Sequence, residues 1–498
     1  MKLSLLCAGL FSGLLLAAAP MDPCRIDTKA MLPGGGTGIA MENGRLLLLF
    51  EPNRGGSCLK FVQKSTGINY TTGATDVRIF SDRLLELSWP ALLNLPYAWK
   101  VIKNTKEEIT IELRRENLPQ YPYLAMIKRI TMRRGSGTVI MNESFYNDPA
   151  GMAPVVITPY FRQGLSIPGK ETFYYSPDPK GIAVNTNKKG GGDVYFRNPP
   201  NGFAAVGDGK GNGLAFSFGF ERLNYIYNWL SSLDQACLEW VFLPVRIESG
   251  KSFTARYTVT PFENIKLPYA AKNGIVGGWD NGKFQLYSDQ TVTGSLRLNG
   301  KLIDEVRLPG GKTVEFDPKP AAGDDTARLT FSSKGRKLLQ MVVPLKKGAL
   351  IPPEGKKLRA AEQVVKELVL SRSFVTPHIP WANPHINGKL KLLILCDYQQ
   401  QREAVELAQR LECDFKVVRI SHISSQMSWG MVDQFGSFTY RDANAALRHA
   451  LKNEFDAIVV SGDLWRVIEA DNLKTIRAKL EKGAGLVMIQ PYNVPATM

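Results

Sequence analysis

A short segment in the middle of the chain alternates aromatic with amide side chains. In an extended strand Tyr225, Tyr227 and Trp229 lie on one face, and Asn224 and Asn228 alternate with them. A sugar stacks its C–H face on a flat ring, whereas its hydroxyl groups need polar partners. We therefore predict that Tyr225, Tyr227, Asn228 and Trp229 bind sugar. Core packing is the alternative, because aromatic residues at strand spacing more often pack inside a protein.

Four carboxylates in the same half of the chain are candidates for acid–base chemistry: Glu143, Asp148, Asp234 and Glu239. Cleavage of a glycosidic bond uses two carboxyl groups on either side of the bond, one as the acid and one as the base or nucleophile. The sequence spacing selects no pair among the four. Single carboxylates are also most often solvated surface groups, so catalysis stays an alternative to binding.

The aromatic segment follows a predicted β-hairpin. Residues 203–206 are a short apolar run, and residues 207–213 alternate glycine with polar residues. This pattern is typical of a turn, because glycine adopts positive φ without steric cost. The side chains beyond the turn alternate, and one face collects the large apolar residues Leu214, Phe216, Phe218 and Phe220. We predict that this row packs onto the core of a large antiparallel β domain.

Residues 25–264 contain one short strand pattern after another. The apolar runs have a period of two residues and are separated by turns rich in glycine or basic residues. A single sheet with this many strands would curl or split, so we predict two sheets stacked as one large sandwich.

Several of these stretches resemble galactose-mutarotase-like "supersandwich" domains. The first is NGRLLLLFEPNRGGSCLKFVQKSTG at residues 43–67, and residues 138–147, 202–229 and 244–253 are similar to later strands of that superfamily. The resemblance covers about residues 40–264. It implies a supersandwich fold and the binding or processing of carbohydrate.

The sequence departs from this superfamily at the residues that carry its mutarotase reaction. The family uses histidine acids with a glutamate base, but all four histidines of this chain, His378, His385, His422 and His449, lie beyond residue 377. The resemblance therefore does not extend to mutarotase chemistry of the familiar kind.

Residues 265–345 predict a second, smaller β unit. Six strand patterns are separated by turns, and Asn299-Gly300 is a strong signal for a two-residue hairpin. This many strands in about 80 residues suits an immunoglobulin-like sandwich acting as a spacer. Residues 346–390 are rich in proline and predict an extended linker.

Residues 391–498 change to alternating strand and helix patterns, which favour a doubly wound parallel α/β sheet of the flavodoxin-like kind. DAIVVSGD at residues 456–463 and LEKGAGLVMI at residues 480–489 resemble the class I glutamine-amidotransferase-like fold. The family's Gly-x-Cys-x-Gly nucleophile elbow is missing, so we expect a non-catalytic domain. We also expect the sheet to be incomplete, either because the chain is truncated or because the domain is degenerate.

Ligands of open α/β sheets meet the carboxyl ends of the strands. Four polar residues fall at such ends: Asp397, His422, Asp463 and Gln490. We predict that they line a strand-end pocket. We expect neither a metal ion nor a cofactor.

The first 19 residues have the order of a secretory signal peptide. Lys2 precedes an apolar run of residues 3–16, and Ala17-Ala18-Ala19 supplies the small residues of a cleavage site. The run is shorter than the ~20 residues that a spanning helix needs. We expect a secreted or periplasmic protein without a stable membrane anchor once the signal is removed.

The formal net charge of +16 does not point to nucleic acid, because the basic residues are dispersed and form no stripe with aromatic residues between them. Five cysteines follow the predicted signal, too few and too scattered for a disulfide framework. Cys24 and Cys58 are one candidate bridge.

Three functions remain open from the sequence. The first is an exported, carbohydrate-associated multidomain protein whose N-terminal supersandwich recognises sugar and whose amidotransferase-like domain is non-catalytic. The second is a glycoside hydrolase or lyase that uses carboxylates of the N-terminal domain. The third is an exported structural or protein-interaction protein.

Overall fold

The computed structural model describes residues 22–72, 78–87, 92–152, 154–188, 192–318, 320–321, 323–356, 388–396, 413–419, 440–461 and 464–489, with single positions between 404 and 411. The predicted signal peptide at residues 1–19 lies outside the described residues. The predicted linker spans residues 346–390, and its residues 357–387 also lie outside the described residues.

The first unit is built almost wholly from short strands, which are, in chain order, β1 (Arg25–Met31), β2 (Thr37–Glu42), β3 (Leu46–Glu51), β4 (Ser57–Gln63), β5 (Ile68–Asn69), β6 (Arg83–Leu84), β7 (Ala98–Asn104), β8 (Glu108–Arg115), β9 (Leu124–Arg133), β10 (Val139–Asn147), β11 (Val155–Ile157), β12 (Pro159–Gly164), β13 (Phe173–Asp178), β14 (Gly181–Thr186), β15 (Gly192–Phe196), β16 (Phe203–Gly207), β17 (Gly213–Phe218), β18 (Leu223–Ser232), β19 (Gln235–Phe242), β20 (Val245–Ile247) and β21 (Ser252–Phe262). A 3-10 turn at Pro149–Gly151 follows β10.

Two antiparallel sheets dominate this unit. The larger has nine strands in the order β14-β13-β16-β17-β21-β10-β9-β8-β7, and the other has five in the order β15-β18-β19-β12-β6. Strands β1 to β5 form a separate five-stranded sheet, and β11 pairs with β20. The prediction of a large antiparallel β sandwich is confirmed.

The two large sheets pack face to face around Trp240. The Trp240 ring, on β19, stacks on Phe218 of β17 at a centroid distance of 4.3 Å and on Phe161 of β12 at 5.3 Å. The ring of Tyr257, on β21, meets Trp240 edge-on at 5.1 Å. Offset stacked and edge-to-face rings are the favourable aromatic arrangements, so this contact joins the sheets by shape as well as by buried area.

The predicted hairpin is confirmed as β16 and β17, which pair antiparallel from Phe203 opposite Ser217 to Gly207 opposite Gly213. Its row of large apolar residues lies in the core, as expected from the alternation: Leu214, Phe216, Phe218 and Phe220. The chain then leaves the nine-stranded sheet, because β18 belongs to the opposite sheet. The aromatic segment therefore lies across the core from the hairpin that precedes it.

The second unit consists of β22 (Pro268–Lys272), β23 (Ile275–Asp280), β24 (Lys283–Ser288), β25 (Val292–Leu298), β26 (Lys301–Leu308), β27 (Lys312–Phe316), β28 (Thr326–Ser333) and β29 (Arg336–Pro344). Two four-stranded antiparallel sheets, β22-β23-β24-β27 and β26-β25-β28-β29, enclose a second hydrophobic core. Asn299 and Gly300, both at positive φ, form the predicted turn between β25 and β26. The immunoglobulin-like assignment stays a prediction.

The second unit is packed against the first and shares buried residues with it. A continuous apolar cluster joins Phe203 and Ala215 of the nine-stranded sheet to Ala271, Val276 and Tyr287 of the second unit. Beside it the Asp289 carboxylate accepts hydrogen bonds from the hydroxyls of Ser136, at 2.5 Å, and Thr138, at 2.7 Å. The unit is therefore held in a defined position on the outer face of the nine-stranded sheet.

The described C-terminal elements are β30 (Lys391–Cys396), β31 (Asp414–Arg419), α1 (Tyr440–Ala450), β32 (Ala457–Ser461), α2 (Ala470–Glu481) and β33 (Gly485–Ile489), with a 3-10 turn at Leu464–Val467. The four strands pair in parallel in the order β31-β30-β32-β33. Residues 397–400 and 420–439 lie outside the described residues. The doubly wound, flavodoxin-like and amidotransferase-like assignments stay predictions.

The candidate disulfide between Cys24 and Cys58 is not formed, because both are buried free thiols. The Cys58 thiol donates to the Lys60 carbonyl at 3.0 Å, and burial raises the pKa of Cys58 to about 12. Among the described residues, no helix has the length and apolar character required to cross a membrane.

We predict that Trp240→Ala costs about 3–5 kcal/mol of stability, because it removes a fully buried ring that contacts both sheets. Differential scanning calorimetry of the whole protein measures this as a lower temperature for the first transition. Trp99→Ala is the matched control, because Trp99 is 44% exposed on the edge strand β7. Equal losses in the two variants would contradict the central position of Trp240.

Candidate functional site

The outward face of the β15-β18-β19-β12-β6 sheet gathers tyrosines with charged residues. Side chains alternate between the faces of a strand, so Ile226 and Leu230 of β18 point into the core while Tyr225, Tyr227 and Trp229 point away from it. The same alternation applies to the neighbouring strands. We call this surface the tyrosine face, and its members are Arg83, Tyr160, Arg162, Asp193, Tyr195, Tyr225, Tyr227, Trp229 and Glu239.

One row of the tyrosine face crosses four strands. Tyr195 of β15 is opposite Tyr227 of β18, Tyr227 is opposite Glu239 of β19, and Glu239 is opposite Arg162 of β12. The Tyr195 and Tyr227 rings stack with centroids 4.5 Å apart and planes 16° apart. The row thus places a pair of flat rings beside a carboxylate and a guanidinium group.

Glu239 is the centre of a buried hydrogen-bonded network. Its carboxylate accepts hydrogen bonds from the Tyr160 hydroxyl and from Arg162 Nε, the latter at 3.0 Å. The side chains of Arg162 and Glu239 are only 5% and 4% exposed. Burying two charges costs free energy unless geometry and further hydrogen bonds compensate, and removing one partner leaves the other charge unpaired. Removing either Glu239 or Arg162 should therefore destabilise the fold.

Two cation–aromatic contacts also involve the arginines of this face. The Arg83 guanidinium lies 4.2 Å from the Tyr160 ring centroid, and that of Arg162 lies 5.9 Å from the Trp229 ring centroid. Burial, and after it the charge of Glu239, raises the pKa of the Tyr160 hydroxyl well above its usual value. Tyr160 therefore stays protonated and remains a hydrogen-bond donor to Glu239.

The opposite end of the tyrosine face is accessible to solvent. Tyr195, Tyr227 and Trp229 are half-buried, and Asp193 is exposed. The Tyr227 hydroxyl donates to the Asp193 carboxylate at 2.5 Å. This end therefore presents ring surface, a hydroxyl and a carboxylate together, which are the groups that a polar ligand with an apolar face can contact.

The structure brings four of the predicted site residues together on this face: Tyr225, Tyr227, Trp229 and Glu239. They do not have equal roles, because Tyr225 is only 3% exposed and Glu239 is held in its network. Tyr227 and Trp229 are the two that reach solvent. The prediction that these aromatic residues belong to a site stays a prediction, now with a defined surface.

Asn228 has no place on the tyrosine face and is withdrawn as a sugar-binding residue. It lies between Tyr227 and Trp229 in sequence, so the alternation of the strand turns it to the opposite face. There it is fully buried and its amide donates to the Ser176 hydroxyl at 3.2 Å.

The other three candidate carboxylates lie in different environments. Glu143 is not a surface group but is fully buried in the core, opposite Lys128. Burial, and then the neighbouring Asp82, raises the pKa of Glu143 well above its usual value. Asp148 caps the 3-10 turn by accepting from the amide of Ala150, and Asp234 is an exposed turn residue. None of the three belongs to the tyrosine face.

The sequence analysis did not identify four members of the tyrosine face: Arg83, Arg162, Asp193 and Tyr195. Each lies at an outward position of its strand. The strands of this sheet come from separate parts of the chain, so neighbouring residues on the face are distant in sequence. A search for alternating polar and aromatic residues on every strand would have flagged Asp193 and Tyr195. No local signal pairs Arg162 with Glu239.

The predicted strand-end pocket cannot be placed: Asp397, His422, Asp463 and Gln490 all lie outside the described residues. Within the ranges that the structure describes, no three His, Cys, Asp or Glu side chains converge as a metal site would require.

No protein-family model matches the sequence, and comparison with curated proteins finds no match. Several solved structures are similar over about half of the chain. A TPR-domain containing protein from Parabacteroides distasonis is 10% identical, with 45% of this chain and 46% of that protein covered and a TM-score of 0.37. The present chain thus spans less than half the length of that protein.

Proteins named for galactose mutarotase or epimerase recur among the similar structures. A galactose mutarotase-like protein from Clostridium acetobutylicum is 8% identical, with 48% of this chain and 99% of that one covered, at a TM-score of 0.36. A galactose 1-epimerase from Lactobacillus acidophilus is 12% identical, with coverages of 49% and 99% and a TM-score of 0.33.

Glu86, three residues after Arg83, is a second buried carboxyl with a raised pKa, after Glu143. It is 7% exposed, and burial raises its pKa to about 7, although the charge of Arg83 acts in the opposite direction. A carboxyl with a raised pKa binds its proton more tightly in the folded state. Stability from this group is therefore complete below about pH 4.5 and falls as the pH rises to about 7.

We predict that Glu86→Gln removes this fall. Relative to the parent, the variant should gain up to about 3 kcal/mol between pH 4.5 and pH 8, since its side chain has no proton to lose. Urea denaturation of both proteins at the two pH values measures the difference, and the contribution of Glu143 cancels in the comparison. A parent–variant difference that is independent of pH would show that Glu86 keeps an ordinary pKa.

Proposed function

We propose that the protein recognises carbohydrate on the tyrosine face. The observation that carries this proposal is the half-buried set of Tyr195, Tyr227 and Trp229, which stands beside the fixed charges of Glu239 and Arg162. Stacked rings offer a flat apolar platform, and the polar groups around them are held in place before any ligand arrives. A site that is organised in advance loses less conformational entropy on binding.

Packing in the central core does not account for these rings, although Tyr195 and Tyr227 pack against a small buried cluster of Tyr160, Tyr225 and Val241. The inner faces of the two sheets already have their own aromatic set around Trp240. The rings of the tyrosine face point the other way, and three of them keep contact with solvent. A half-exposed aromatic surface with carboxylate and hydroxyl groups suits a ligand that has both C–H faces and hydroxyls.

Two further parts of the proposal, export and a non-catalytic C-terminal domain, are based on the sequence. We propose that the chain is exported through its N-terminal signal, since residues 1–19 have the order of such a signal. We also propose that the amidotransferase-like domain is non-catalytic, because the chain has no Gly-x-Cys-x-Gly elbow. Its strand residue Cys396 is buried.

We predict that Trp229→Ala weakens oligosaccharide binding at least tenfold and changes the melting temperature little, because the ring is half-buried at the edge of the face. The probes are neutral tetrasaccharides of β-1,4-glucan, β-1,4-mannan, β-1,4-xylan and α-1,4-glucan, and the measurements are isothermal titration calorimetry and scanning calorimetry.

Trp99→Ala is again the matched control and should bind as the parent does. The proposal would be refuted if the parent bound none of a wider set of neutral glycans. It would also be refuted if Trp229→Ala kept the parent affinity, or if its melting temperature fell as far as that of Trp240→Ala.

Glycoside hydrolysis is the second candidate, and one observation favours it. Asp193 and Glu239 lie on the same face, two strand spacings apart. Their backbones are therefore about 10 Å apart across the strands, and Asp193 is also displaced by two residues along β15 from Tyr195, which lies in the row of Glu239. Inverting glycosidases place two carboxyl groups about 6.5–9.5 Å apart, with a water molecule between them and the sugar.

If the protein is such a hydrolase, Asp193→Asn should lower the release of reducing ends at least a hundredfold while keeping the fold, because Asp193 is exposed. Glu239→Gln should lower the release of reducing ends as well, but it removes the carboxylate that pairs the buried Arg162 charge and should also reduce stability, so Asp193→Asn is the decisive variant. A parent protein that binds an oligosaccharide but releases no reducing ends from it would leave recognition alone as the function.

A further inference from the structure

A second candidate site lies on the other side of the large sandwich. A cleft of about 630 Å³ separates the outer face of the nine-stranded sheet from the second β unit. Its floor is formed by β17 and β21, and its walls include β22, β29 and the segment of residues 351–356. The volume is in the range of about 300–1,000 Å³ that is typical of small-molecule sites.

The cleft has an excess of positive charge. Five basic side chains line it against two acidic ones, Glu221 and Glu354; the basic ones are Arg222, Arg256, Lys272, Arg328 and Lys356. Only Lys272 of these forms an ion pair among the described residues, with Glu354 at 3.7 Å. Like charges that face one cleft raise its potential together and attract an anion.

The three arginines of the cleft, of which only Arg256 lies on the nine-stranded sheet, differ from two other arginines of that sheet. Arg129 and Arg133, on its outer face, are each paired with a glutamate at 2.7 Å. Arg222, Arg256 and Arg328 have no carboxylate partner within the described part of the chain, and Arg222 instead lies over the Phe253 ring at 5.3 Å. An unpaired guanidinium group keeps its donors available for a planar acid group, which it binds through two parallel hydrogen bonds.

Neutral hydrogen-bonding groups surround the central arginine. Thr254, Arg256 and Thr258 alternate along the outward face of β21, and Ser217 of β17 is directly opposite Thr258. All four line the cleft. A ligand that matches this floor carries an acid group and hydroxyl groups on the same short segment.

We propose that this cleft binds a short segment of an acidic polysaccharide, with its carboxylate or sulfate groups on Arg256 and Arg328 and its hydroxyls on the threonine and serine side chains. The site is independent of the tyrosine face, because the two lie on the outer faces of opposite sheets. The second β unit contributes Lys272 and Arg328 to this cleft, so both units are needed to form the binding site.

Titration of the full chain with four probes tests the proposal. Tetragalacturonate supplies carboxylates, a chondroitin sulfate tetrasaccharide supplies sulfates as well, cellotetraose is the neutral control, and a single-stranded DNA tetramer is the anionic control. At least one acidic saccharide should bind, more weakly at 200 mM than at 50 mM NaCl. Cellotetraose should not compete with it, and the DNA should bind at least tenfold more weakly.

Matched variants locate the site. Arg256→Gln with Arg328→Gln should weaken binding of the acidic saccharide at least tenfold. Arg307→Gln and Arg336→Gln, both exposed on the second β unit outside the cleft, remove the same charge and should leave binding within twofold. Trp229→Ala should also leave it unchanged, which separates this site from the one proposed on the tyrosine face.

Three results would overturn the proposal. One is equal affinity of the parent and the cleft double variant for the acidic saccharide. The second is an equal loss in the control double variant, which would mean that net charge alone governs binding. The third is DNA that binds as tightly as the acidic saccharides, which would show a general attraction for anions.

Discussion

The aromatic contact around Trp240 is the constraint on which the large β unit depends. It joins β12 and β19 of one sheet to β17 and β21 of the other, so it decides which face of every strand in both sheets is the inner one. Once the inner faces are occupied, the period of two sends the remaining side chains outward. Both proposed sites depend on this arrangement, because each is built from side chains that point away from the core.

The two outer faces use charge in different ways. On the tyrosine face the charges are buried and paired, as in the contacts of Glu239 with Arg162 and Tyr160. Buried ion pairs add little net stability, yet they tolerate no loss of a partner, so such a network preserves a geometry more than it raises the melting temperature. In the cleft the arginines have no carboxylate partner among the residues that the structure describes, which leaves their hydrogen-bonding capacity for a ligand.

The second β unit is fixed to the first through a buried contact. Its contact with the nine-stranded sheet is apolar at the centre, where Tyr287 and Val276 pack on Phe203 and Ala215. The bonds of Asp289 to Ser136 and Thr138 fix the contact at its margin. A joint of this kind holds the cleft walls at a constant separation, because core packing resists small displacements.

The sequence by itself determined the local features: the glycine turns, the Asn299-Gly300 hairpin, and the inward row of Leu214, Phe216, Phe218 and Phe220. Each of these depends on the conformation of adjacent residues or on the period of one strand. The period also implied that Asn228 opposes Tyr227 and Trp229, although the pattern of amides beside rings suggested a shared site.

Only the tertiary structure decided which strands are neighbours. Glu143 and Glu239 look alike in sequence, but one lies opposite Lys128 in the core and the other opposite Arg162 on an outer face. Arg256 and Arg328 meet at one cleft although 71 positions separate them in the numbering. Pairing between distant strands depends on the packing of whole sheets, and no short stretch of sequence encodes it.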